Sequence, residues 1–89
     1  MVFQLTTTLG AGEVITRAKR FFAERVPQYA AFPEREGPEW LLLRGQGGEE
    51  IALAARAVDG GTHVRASTLL FDQQLSRFLS TLPAARVHG

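Results

Sequence analysis

Residues 49–71 read EEIALAARAVDGGTHVRASTLLF, two alternating runs on either side of Asp59-Gly60-Gly61-Thr62. Asp-Gly or Gly-Gly between apolar alternations is the strongest short-range hairpin signal, because such turns need residues that accept positive φ. The stretch therefore reads as one long β-hairpin. Side chains alternate along a strand, so Ile51, Leu53, Ala55 and Ala57 share one face of the first strand, and Val64, Ala66, Thr68 and Leu70 share one face of the second. Both runs need an apolar partner on the same side, and the rest of the chain has to supply it.

Working outward, Trp40-Leu41-Leu42-Leu43-Arg44 is apolar on both faces, as a central strand is, and Gly45-Gln46-Gly47-Gly48 turns it into Glu49. Before the Gly37-Pro38 turn, Tyr29–Glu36 carries Pro33 inside a weak alternation, which fits an edge strand. Val2–Thr8 alternates Phe3, Leu5 and Thr7 against Gln4, Thr6 and Thr8 and reads as a half-buried strand. From Glu13 to Val26, the residues Val14, Ile15, Ala18, Phe21, Phe22 and Val26 recur at three- and four-residue steps, an amphipathic helix stopped by Pro27. At the other end Asp72 is placed to cap a last helix whose Phe71, Leu75, Phe78, Leu79 and Leu82 form an apolar stripe ending at Pro83. The order β-α-β-β-β-β-α predicts a single two-layer α+β domain over residues 1–83. Its antiparallel sheet has four to five strands with both helices on one face, and Ala84–Gly89 is a frayed tail.

Composition narrows the function classes. A chain of 89 residues, 45% hydrophobic and 21% charged, supports one modest core and gives no argument for disorder. The formal net charge of +1 supplies no overall field toward nucleic acid or anionic lipid. Without cysteine there is no disulfide, thiolate catalysis or thiolate-bound metal, and the chain suits a reducing interior. MVFQLTTTLGAGE has neither a basic leader nor a long apolar run, and no stretch reaches the roughly 18 apolar residues of a membrane span. The expectation is a cytoplasmic protein with no membrane contact and no cofactor.

The candidate chemical motifs are weak. Gly10-Ala11-Gly12 leads from strand to helix, but Ile15 stands where a dinucleotide fingerprint has its third glycine, and no Walker lysine–serine pair follows. His63, Ser67 and Asp72 contain the atoms of a hydrolytic triad. His63 and Ser67, however, lie four apart on one strand, roughly 13 Å at the usual rise, and no nucleophile elbow is present. The acidic pairs Glu34–Glu36 and Glu49–Glu50, with Asp59, fall at turns and strand ends where water keeps them ionised. This is the pattern of a non-catalytic domain.

The informative surface is the sheet face turned away from the helices. If Leu41, Leu43, Ile51, Leu53, Val64 and Ala66 point inward, then Trp40, Leu42, Arg44, Ala52, Ala54, Arg56, His63, Arg65, Ser67 and Leu69 point outward. An uncovered antiparallel face is normally polar, so this one calls for a cover. A homodimer pairing two such faces is one reading, and small Ala52 and Ala54 would let another surface come close. A small apolar or anionic ligand is a second, with Arg44, Arg56 and Arg65 on the anion and Trp40 and Leu42 on the apolar body. Single-stranded nucleic acid is a third, disfavoured by the near-neutral charge. A solvated face with arginine stems lying over the aromatics is the plain alternative.

The run IALAARAVDGGTHVRASTLLFDQQLSRFLSTLP, with its glycine hairpin followed by a Leu-x-x-Phe-Leu-x-x-Leu helix, resembles the C-terminal part of polyketide-cyclase and START-like helix-grip proteins. The resemblance covers residues 49–83, and family members carry more strands and a longer final helix. It implies a sheet gripping that helix and binding a small ligand. The element order is also similar to one repeat of the TATA-binding-protein-like fold, a likeness of topology only.

Overall fold

The structure, a computed structural model, describes residues 2–24 and 31–84. Its elements are β1 (Val2–Thr7), α1 (Ala11–Glu24), β2 (Ala31–Glu36), β3 (Trp40–Gly45), β4 (Glu50–Val58), β5 (Gly61–Thr68) and α2 (Asp72–Ser80). The five strands form one antiparallel sheet in the order β1-β5-β4-β3-β2, a meander from β2 to β5 with β1 added beside β5. Both helices cover the same face, so the two-layer α+β architecture expected from the alternation is the one formed.

The long hairpin pairs Ile51 with Thr68, Leu53 with Ala66 and Ala55 with Val64, and closes with Val58 opposite Gly61. Only Gly60 of the two loop residues needs the left-handed region, at φ 83°; Asp59 does not enter it. Leu41, Leu43, Ile51, Leu53, Ala55, Val64 and Ala66, which the alternation assigns to the helices, are buried there, with Val14, Ile15, Ala18, Phe21, Phe22, Leu75, Phe78 and Leu79 against them. Phe21, Phe22 and Phe78 meet at centroid distances of 5.2, 5.4 and 5.8 Å in edge-on or tilted contact, which joins the two helices over the sheet. Ala57 and Leu70, expected on the inner face, are exposed instead, because Ala57 lies near the hairpin tip and β5 stops at Thr68.

The edges and ends differ in detail from the sequence reading. Helix α1 starts at Ala11, where Val14 N–H donates to Gly10 O at 3.0 Å, two residues before the expected Glu13. Val26, Pro27 and the beginning of the expected Tyr29–Glu36 strand lie outside the described residues. Pro33 sits on the sheet edge beside a register shift between Pro33 and Arg35, where its missing N–H leaves no ladder bond unmade. Of the expected tail, Ala84 forms an isolated bridge with Thr7, and residues 85–89 lie outside the described part. Buried Thr7 donates its hydroxyl to Pro83 O at 2.6 Å, fastening the segment after α2 to β1.

Asp72 is not the cap of the last helix. Phe71 takes that position because its ring is buried in the core, and Asp72 becomes the first helical residue, where its charge suits the helix dipole. Thr68 does the joining: its hydroxyl donates to Glu50 O at 3.0 Å and accepts Phe71 N–H at 3.2 Å. Thr68→Val keeps the shape and removes both bonds in a buried place, so it is expected to cost about 1–2 kcal/mol. Urea unfolding measures the loss, and a shift below about 0.3 kcal/mol would mean the hydroxyl does not brace this corner.

Candidate functional site

Register arranges the open face in rows, which alternation alone leaves undefined. One row runs Phe32, Arg44, Glu50; the next Arg35, Leu42, Ala52, Ser67, Val2; the next Trp40, Ala54, Arg65, Gln4; and the last Arg56, His63, Thr6. Nine of the ten residues expected to face outward are on these rows. Leu69 lies one residue past the Ile51–Thr68 pair, at the Glu50 end, where it lines a depression with Arg44, Glu50 and Ser67.

Relief along the face is set by side-chain size. Trp40 and Leu42 on β3 make a ridge beside a floor of Ala52 and Ala54 on β4, with Arg65, Ser67 and Val2 beyond. The result is an open trough of about 370 Å³. Large apolar side chains left exposed gather here: Val2, Phe32, Trp40 (44% exposed) and Val58 stand on this face, and Leu69 (87%) at its corner, with only Leu70 of the described set assigned by alternation to the other side. Phe32, Val2 and Val58 were missed by the sequence reading; the alternation of β1 and β4 carried the signal for Val2 and Val58, whereas the bulge in β2 concealed that for Phe32.

The Trp40 indole is held by the β2–β3 turn. Gly37 N–H donates to Trp40 O at 2.9 Å, and the ring lies so close over Gly37 that a Cβ there would overlap its Nε1. Gly37→Ala is therefore expected to push the ring away from the turn, and a shift of the emission of this single tryptophan reports it. An unchanged spectrum would place the indole elsewhere.

Charge is divided between the two ends. Arg44 donates to Glu34 at 2.7 and 3.0 Å, to Glu50 at 3.2 Å and to Gly48 O at 3.0 Å. Glu34, by hydrogen bond and then by charge, and Glu50 more weakly, hold the Arg44 guanidinium above the usual arginine pKa, so it stays cationic throughout the range where proteins fold. Arg56 and Arg65 sit diagonally at the opposite end, next to His63, whose Nε2 lies 3.0 Å from Gln4 Oε1. Six residues separate Glu50 from Arg56 on β4, about 20 Å at the strand rise, so the three arginines do not converge on one anion.

The remaining motifs are dispersed. His63 and Ser67 occupy different rows of the open face, and Asp72 begins α2 in the helical layer. Gly12 is inside the first turn of α1. Among the described residues no three His, Cys, Asp or Glu side chains gather as a metal-holding group, and no helix is long and apolar enough to cross a membrane. Compared with family models, curated proteins and solved structures, the chain matches none.

Proposed function

We propose that this domain is a non-catalytic interaction module that self-associates by pairing its open sheet face with that of a second copy. The observation that carries the reading is that, among the described residues, every exposed large apolar side chain except Leu70 lies on that face or at its corner, while the helical layer buries its own stripe. A ridge of Trp40 and Leu42 directly beside a floor of Ala52 and Ala54 is self-complementary, as an isologous two-fold interface has to be. Sedimentation velocity across micromolar concentrations tests it. A dimer with Trp40 emission shifted to shorter wavelength as it forms supports the reading; a monomer with a water-exposed indole at every concentration removes it.

The trough also favours a second reading, a small apolar ligand carrying one anionic group. Trp40, Leu42 and the two alanines would take the apolar body and Arg65 the anion, with Arg56 on the diagonal. The helix-grip likeness of residues 49–83 points the same way. Native mass spectrometry of the protein with and without a lipid or metabolite extract separates the two, since a retained small mass released by Arg65→Ala belongs to the ligand reading alone.

A further inference from the structure

We infer that the two-fold axis of the dimer runs along the strands, between β3 and β4, and lays β3 of each copy over β4 of the other; this rests on the self-association reading above. Rotation about such an axis exchanges β3 with β4 and β2 with β5, and keeps each row at its own level. Four consequences then agree. Trp40 comes over the partner's Ala54 and Leu42 over the partner's Ala52, because each pair shares a row. Ridge thus enters floor twice. Arg44 comes over the partner's Glu50, and Glu50 over the partner's Arg44, since these two are also directly opposed within one copy. Phe32, which faces Arg44 on β2, comes over the partner's Leu69 beside Glu50, so the two large exposed side chains at that corner cover one another.

The other face-to-face symmetry, an axis crossing the strands, does none of this. It would set β3 on β3 and β4 on β4 with their direction reversed. Trp40 would then collide with the partner's Leu42 while Ala52 and Ala54 faced their counterparts across a gap. Sheets packed at one spacing of about 10 Å cannot close over a ridge on a ridge and a floor on a floor together.

Two measurements test the axis. Arg44→Glu and Glu50→Arg each place like charges over one another in the homodimer, and each is expected to weaken it about a hundredfold. Mixed one to one, they restore both opposed pairs, so a heterodimer close to wild-type affinity is expected. Circular-dichroism melts confirm that each variant folds. The second measurement leaves that cluster untouched: the cysteine-free chain takes a single nitroxide at Gln4→Cys. At strand and sheet spacings of about 4.8 and 10 Å, β1 lies well off the axis and the two backbone sites stand about 26 Å apart, against about 12 Å for the crossing axis. A wild-type dimer with the short distance, or with Arg44→Glu associating as tightly as wild type, overturns the arrangement and leaves self-association standing. A monomeric wild type overturns both.

Discussion

Phe22→Ala is expected to remove about 3–5 kcal/mol of folding stability, the range for deleting a buried phenylalanine ring. Phe22 is fully buried on α1, and its ring touches both Phe21 and Phe78, so the cavity opens where the two helices meet over the sheet. Rigid strands beneath and two helices above leave little room for collapse. A domain of this size holds about 5–15 kcal/mol in all, so the variant is expected to melt roughly 15–30 °C lower. Phe22→Leu, which keeps most of the volume, is expected to lose far less. A calorimetric melt compares them, and equal midpoints for Phe22→Ala and wild type would contradict the packing of α1.

Trp40→Ala is expected to weaken self-association at least about thirtyfold, the effect of removing a central aromatic anchor. The indole is 44% exposed and is one of the two side chains of the ridge, so the same change is expected to shift the folding midpoint only slightly. Ala54→Trp attacks the interface from the other side by filling the floor that the ridge enters. Both variants should be monomeric where the wild type is a dimer, as read by sedimentation equilibrium. Undiminished association in both would move the interface off this face.

The opposite behaviour of these two aromatics follows from parity. Phe22 belongs to a 3.6-residue stripe and Trp40 to the outward half of a strand, and both periods are local properties of the chain. Hence the inner core, the glycine-marked hairpins and the outward residues of β3, β4 and β5 from Trp40 to Ser67 that were expected there were legible before any fold was known, whereas Val2, Phe32 and Val58 were not singled out. Local rules failed where packing overruled them. Phe71, buried as the apolar stripe required, took the cap position expected for Asp72, and the end of β5 left Leu69 and Leu70 beyond the sheet.

What the sequence alone determined is the element order, the face most residues of β1, β3, β4 and β5 take, and the existence of an apolar surface without a cover, because alternation and helical periodicity are written in neighbouring residues. Tertiary structure decided what lies beside what. That β1 pairs with β5, that Trp40 stands opposite Ala54, and that Arg44 joins Glu34 and Glu50 far from Arg56 and Arg65 all depend on register between strands. Register is settled by the summed packing of the whole sheet against Phe22, Leu75 and Phe78, and no short stretch of chain contains it.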